Sequence, residues 1–233
     1  MPALEFQLAG EGPLALHIDR LVIAGWTGRD ADAVNHHIRE LEQIGVKPPS
    51  TVPCFYPLAA SLLTTAPLLE VPREDSSGEI EFVLMAGPDA LYVGVGSDHT
   101  DRKVEAYDVT VSKQMCAKPV GSEVWRFDDV AAHWDRLEMR CWRTRHGVRE
   151  LYQEGLVTRL LDPRDLIRRL HGDVHGDVHG ADALPPGTAM FCGTQAVIGE
   201  LGGGEAFEVE LHDPVLRRSL RHAYRVASLE VAP

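Results

Sequence analysis

Two apolar runs, Glu79 to Met85 and Leu91 to Val95, flank the segment Gly87-Pro88-Asp89. Gly-Pro-Asp is turn chemistry, so the two runs are expected to pair as an antiparallel hairpin. Other strands are legible on both sides of it. Leu4 to Leu8 and Leu14 to Ala24 alternate well enough for an opening hairpin, and Leu137 to Trp142 with Val148 to Tyr152 flank Arg145-His146-Gly147. Ala189 to Cys192, Ala206 to Leu211 and Ser219 to Val226 complete the set. Helices are few. Asp30 is placed to cap a helix over Ala31 to Ile44, with Val34, His37, Ile38, Leu41 and Ile44 on one face and Gly45 as its stop. Asp162-Pro163 opens a short one ending near Leu170. The expected class is a β-rich α+β fold rather than a βαβ repeat.

The chain has 233 residues, enough to bury a full core as one large domain. Residues 1–75 carry the first strands, a helix and a Pro-rich connector from Pro48 to Leu69, and residues 76–233 carry the main β-roll, expected to form one compact body with the first part. The formal charge is -12, with no basic stripe, which disfavours nucleic acid as a partner. Pro49, Pro53, Pro57 and Pro67 break the longest uncharged stretch, so no membrane span is expected. The first residues show neither a basic nor an apolar export region, and the expected location is the cytoplasm. Cys54, Cys116, Cys141 and Cys192 form no C-x-x-C pair, which argues for buried, reduced thiols over a zinc ribbon.

No third glycine accompanies Gly94-Val95-Gly96 or Gly202-Gly203-Gly204, and no G-x-S-x-G elbow exists, so a dinucleotide site and a serine hydrolase are both unsupported. His171-Gly172-Asp173-Val174 recurs as His175-Gly176-Asp177-Val178 before His179-Gly180. The glycines favour a duplicated surface loop over a metal-binding helix face.

Glu79 and Glu81 share one face of their strand by alternation. The pair suits a solvated face or a bound cation, because like charges that close are costly without one. Asp98, just past the partner strand, brings a third carboxylate to the same point if the hairpin forms. That all-oxygen set suits Mg²⁺ or Mn²⁺. Lysine is scarce, with only Lys47, Lys103, Lys113 and Lys118, so Lys118 in Cys-Ala-Lys-Pro-Val stands out.

Glu79-x-Glu81, then Asp98-His99-Thr100-Asp101-Arg102, then Lys118 twenty residues after Asp98 resemble the ordered motif of the fumarylacetoacetate hydrolase superfamily, in its short bacterial branches. Gly25-Trp26, His37-Ile38-Arg39-Glu40, Val52 to Pro57, Tyr152 to Gly155 and Leu184 to Thr194 extend the likeness over roughly Leu21 to Val226. Tyr56 stands where that family usually has lysine, Thr188 where it has aspartate and Gln195 where it has proline, and the Trp26 to His37 spacing is longer.

The resemblance implies a mixed β-sandwich roll and a homodimer. It implies Mg²⁺ or Mn²⁺ on Glu79, Glu81 and Asp98, with Lys118 and Arg102 holding substrate oxygens. His37 and Glu40 would activate water, with His36 as the other candidate base; a core role for His37 is equally open, since it lies on the apolar helix face. Thr194 and Gly193 would bind a substrate carboxylate. Gln153 would assist or sit exposed at a strand end, and His99 would contact substrate or support the ligands. The implied substrate is a small 2-oxo or diketo acid such as an acylpyruvate, cleaved hydrolytically at a C–C bond. The same site also suits a decarboxylase, hydratase or keto–enol isomerase, and the departures suit a catalytically silent binding protein.

Overall fold

The computed structural model describes residues 3–43, 48–175 and 183–230. In chain order the elements are β1 (Leu4–Leu8), β2 (Gly12–Leu16), β3 (Arg20–Gly25), α1 (Ala31–Gln43), β4 (Cys54–Leu58), β5 (Leu63–Thr64), β6 (Leu68–Pro72), β7 (Ser76–Ser77), β8 (Ile80–Ala86) and β9 (Leu91–Ser97). They continue with β10 (Thr100–Asp101), α2 (Arg102–Glu105), α3 (Val109–Gln114), β11 (Lys118–Pro119), β12 (Glu123–Arg126), α4 (Phe127–Ala131), β13 (Glu138–Arg145) and β14 (Val148–Leu156). The last are α5 (Pro163–His175), β15 (Thr188–Phe191), β16 (Ala206–Asp213) and β17 (Arg218–Leu229).

An eight-stranded sheet runs β2-β1-β12-β9-β8-β15-β3-β4, and a five-stranded sheet runs β14-β13-β16-β17-β6. Strands from both sides of residue 75 therefore lie in each sheet. Most neighbours are antiparallel, but β1/β12, β15/β3 and β17/β6 are parallel, so the β-rich expectation holds with mixed pairing. No helix among the described residues is long and apolar enough to cross a membrane.

The hairpin β8–β9 sits at the centre of the larger sheet and is covered on both faces, which is why its residues are almost uniformly apolar. Ile80, Phe82 and Leu84 enter one core with Met139, Phe207 and Val209 of the smaller sheet. Val83 and Met85 enter a second core with Ile23, Tyr56 and Phe191. Glu81 shares the alternation of Val83 and Met85 and so points to that second side.

Four sequence expectations need correction. Leu14 to Ala24 is not one strand, because the chain breaks at His17 to Asp19, where the Asp19 and Arg20 amides donate to the Gly187 carbonyl. The Pro-rich connector holds β4, which survives with Pro57 because it is the sheet edge and Pro57 faces outward. Glu79 lies one residue before β8 rather than in it. The helix from Pro163 runs on to His175, so the first His-Gly-Asp-Val unit is helical, not loop. Its glycine costs roughly 1 kcal/mol, and the His171 ring bonded at 2.8 Å to the Ala183 carbonyl helps hold that turn in place. Gly176 to Gly180 lie outside the described residues.

Candidate active site

Asp98 follows β9 directly, and its amide donates to the Glu79 carbonyl at 2.9 Å, extending the hairpin by one pair. This brings Glu79, Glu81 and Asp98 together, with one ligand oxygen from each lying within 4.8 Å of the others. Opposite Glu81 in the register stands Gly96. A Cβ there would come within 2.7 Å of the Pro119 carbonyl, so glycine is what lets β11 approach and delivers Lys118 to Asp98.

Lys118 Nζ lies 2.9 Å from Asp98 Oδ1 and donates to the His99 carbonyl at 2.5 Å. A second ammonium, that of Lys113, bonds Asp98 Oδ2. Lys113 was missed in the sequence. It rides on α3, whose first turn is capped by Asp108 accepting from the Val111 amide at 3.0 Å. Arg102, on α2, donates to Ser77 Oγ at 2.6 Å and to Glu105 at 2.8 Å, and it lies 3.1 Å from Glu79.

Above the cluster opens a cavity of about 1120 Å³ lined by Ile23 to Val34 in part, Tyr56, Glu79, Glu81, Arg102, Val109, Lys113, Arg159, Gly193 and Thr194 among others. Glu79, Glu81, Arg102 and Lys113 face it, whereas Asp98 and Lys118 lie behind them. Gly193 donates its amide to Glu81 Oε2 at 2.7 Å from a backbone at φ 105. A side chain there would collide with Thr27 Oγ1 at 1.8 Å, so the position demands glycine. Trp26 also holds a left-handed backbone, φ 60, uncommon for a bulky residue, and its indole donates to the Tyr56 hydroxyl at 3.3 Å.

Burial pushes the Glu81 carboxyl well above the usual range, and the neighbouring Asp98 charge adds to that. Burial raises Glu79 likewise, against the pull of Arg102. Asp98 is also buried, but the ammoniums of Lys113 and Lys118 outweigh this and hold it below the usual range. Two carboxyls whose burial outweighs the positive charge near them, beside a third that is ionised, form a pocket that favours an added cation. The donors are all hard oxygens, and the open cavity leaves room for water or a ligand to complete six-coordination. The residues fit a divalent ion such as Mg²⁺ or Mn²⁺.

Other expected site residues fall elsewhere. Gln153 is fully buried: its Oε1 accepts from the Ile80 amide at 2.9 Å, and its Nε2 donates to Thr194 Oγ1 at 2.8 Å and to the Gln195 carbonyl at 2.6 Å. It aims Thr194 rather than facing the cavity. His99 is also buried, with its ring nitrogens on Tyr224 Oη at 3.0 Å and Ser76 Oγ at 2.9 Å. Adjacent side chains diverge along an extended chain, which sends His99 into the core while Asp98 meets the glutamates. The side chains of His37 and Glu40, on α1, lie outside the described residues.

Three further cavity residues went unnoticed in the sequence. Glu105 pairs with Arg102, and Arg29 makes a two-point contact with Asp135 at 2.7 and 3.2 Å. Arg159 meets only the Glu154 carbonyl, at 3.5 Å, and has no carboxylate partner among the described residues.

The fold is shared with several solved proteins at low identity. The crystal structure of Cg1458 matches with TM-score 0.65 and 14% identity over 94% of this chain and 81% of that one. The 2-keto-3-deoxy-D-arabinonate dehydratase complexed with magnesium and 2,5-dioxopentanoate matches with TM-score 0.60 and 14% identity over 96% and 79%. The 4-oxalocrotonate decarboxylase from Pseudomonas putida G7, complexed with calcium and acetate, matches with TM-score 0.55 and 16% identity over 88% and 76%. Comparison with curated proteins gives no match. Residues 24–224 match the model of the family described as "protein of unknown function (DUF2848)", and the chain belongs to that family.

Proposed function

We propose that the protein is a divalent-metal-dependent enzyme acting on a 2-oxo acid, of the fumarylacetoacetate hydrolase type. The observation that carries this reading is the set of Glu79, Glu81 and Asp98 oxygens within 4.8 Å at the floor of a large cavity. The dehydratase crystallised with magnesium and a dioxo acid, and the decarboxylase crystallised with calcium, support it on fold grounds. When bound, a divalent ion supplies Lewis acidity to the carbonyl and carboxylate of such a substrate.

Glu79 and Glu81 are the cavity-facing members of the ligand set, and Lys118 keeps Asp98 ionised from behind. Arg102 faces the cavity and serves the developing negative charge on substrate oxygen. The Gly193 amide fixes Glu81, and Gln153 fixes the Thr194 hydroxyl, so the loop after β15 presents Thr194 to a substrate carboxylate in one geometry. Arg159 is suited to a second anionic group at the substrate's far end. Arg159→Gln is expected to raise KM for dianionic 2-oxo acids and leave monoanionic ones unchanged.

Hydrolytic C–C cleavage of an acylpyruvate is the first reaction we assign, with His37 and Glu40 of α1 as the water-activating pair. Decarboxylation or another lyase reaction is the second reading, favoured by the dehydratase and the decarboxylase that share the fold. Turnover of acetylpyruvate and oxaloacetate, followed by loss of diketo absorbance and by product analysis with Mg²⁺ or Mn²⁺, tests both. Glu81→Ala should abolish activity. His37→Ala should abolish only the hydrolysis, and no turnover of any 2-oxo acid with either metal would sink the enzyme reading.

A further inference from the structure

Two ammonium groups hold Asp98, and they are not equivalent. Lys118 bonds Oδ1 at 2.9 Å and the His99 carbonyl at 2.5 Å, with no exposed surface and no place in the cavity wall. Lys113 bonds Oδ2 and has no second hydrogen-bond acceptor among the described residues. Near it also lie the Tyr56 ring, 5.9 Å from Nζ to the centroid, and the Glu79 and Glu105 charges, and open cavity lies beside it.

A carboxylate oxygen that ligates a divalent ion holds an ammonium at contact distance only at a cost, because the two cations repel across a few ångströms of low-dielectric interior. Both Asp98 oxygens carry an ammonium. Cation entry at the three carboxylates therefore weakens the hold on both and favours release of the one with fewer acceptors. Lys118 would have to leave two acceptors and has no space to enter. Lys113 would leave one, and both the cavity and the face of the Tyr56 ring can receive it.

We propose that Lys113 is a tethered counter-cation: it occupies Asp98 until a divalent metal binds, then turns into the cavity, where its ammonium meets the anionic end of the substrate. This rests on the metal-dependent reading above and adds the residue that couples metal loading to substrate binding. Lys113 and Val109 are four residues apart on α3 and both line the cavity, so the helix already aims the side chain at the substrate space.

Trace labelling of the wild-type chain with acetic anhydride, with and without saturating Mn²⁺, tests the exchange. The chain has only four lysines, each resolvable by peptide mass, and exposed Lys103 is the internal standard. Relative to Lys103, Lys113 should label several-fold faster with Mn²⁺, while Lys118 stays protected in both states. Unchanged or slower labelling of Lys113, or a rise at Lys118 instead, overturns the proposal. Calorimetry on the same sample separates the failures: absence of Mg²⁺ and Mn²⁺ binding sinks the metal site itself, and binding without a change at Lys113 sinks only the exchange.

Lys113→Gln gives a second readout. Removal of a competing cation should tighten Mn²⁺ binding and lower turnover of a 2-oxo acid. A residue that merely propped Asp98 in place would loosen Mn²⁺ binding when lost, and that result also overturns the proposal. Should the variant fail to fold, the wild-type labelling decides.

Discussion

On the solvent side of the five-stranded sheet, Arg149 holds Glu208 at 2.8 Å with the two side chains 47% and 43% exposed, whereas at the cavity floor Lys118 holds Asp98 at 2.9 Å with neither exposed at all. The partners and distances are nearly the same, but the surroundings are not. Around Arg149 the guanidiniums of Arg140 and Arg221 are within reach of water, which screens each pair and refills any vacancy. Around Asp98 the charges can be satisfied only by one another or by an added cation. Similar contacts therefore stabilise little in one region and poise a binding site in the other.

Removing one partner from the buried set should produce the largest effect. Asp98→Ala leaves two ammoniums without the carboxylate they share, and breaking such a buried pair costs about 3–5 kcal/mol. Denaturant unfolding of the metal-free protein should show this loss, with Mg²⁺ and Mn²⁺ binding gone in calorimetry. A loss below about 1 kcal/mol would mean that the floor is hydrated like the outer sheet.

Gly193→Ala should come next. Its backbone lies at φ 105, and the new methyl would meet Thr27 Oγ1 at 1.8 Å. The conformation alone costs about 1–3 kcal/mol, and any shift of the loop pulls the amide from Glu81. Adding Thr27→Ala should recover the steric share of stability and not the conformational share. Full recovery in the double variant would show that the left-handed backbone is unstrained.

The charge floor also predicts an acid response. Burial, with the Lys118 and Arg102 charges behind it, pushes His99 down to about 3. Its folded value lies below the unfolded one, so the unfolded chain binds the proton and stability is lost as pH falls below about 6.5, by about 1.4 kcal/mol per unit. Between pH 7 and pH 5 this amounts to about 2 kcal/mol. His99→Gln, which keeps a polar group near Tyr224 and Ser76, should flatten that slope in thermal unfolding at a series of pH values. An unchanged slope would place the acid sensitivity elsewhere.

What could be read in advance follows from how local each contact is. Glu79, Glu81 and Asp98 belong to one hairpin, whose turn and apolar strands are written in consecutive residues, so their meeting was legible. Lys118 follows from β11 closing on Gly96, a contact that spacing suggests without fixing. Lys113 was not legible, because α3 is a six-residue helix with no hydrophobic period long enough to announce it. The signals that existed were its rarity and the Val109–Lys113 spacing behind an Asp108 cap. For His99 the sequence left substrate contact and support of the ligands both open, because its Tyr224 partner lies 125 residues away, on the other sheet. The helical first unit of the histidine repeat was missed for the same kind of reason: glycine propensity argued against a turn that a long-range bond to Ala183 helps hold.

The smallest expected effect completes the contrast. Arg149→Gln removes a pair to Glu208 and also a guanidinium 4.3 Å from the Trp142 ring centroid. Exposed pairs contribute about 0–1 kcal/mol and an exposed cation–π contact a similar amount, so the variant should lose no more than about 1–2 kcal/mol. Glu208→Gln keeps the stacking and removes the pair, which isolates the Coulombic share. That share should fade as salt rises toward ~1 M, where the screening length drops to about 3 Å. Asp98→Ala should keep most of its cost in the same salt, since Asp98 and Lys118 have no exposed surface and bulk salt screens such a pair little. A salt-insensitive loss above about 2 kcal/mol at Glu208 would mean that the outer sheet is covered too, and its charges would then have to be treated like those beneath the cavity.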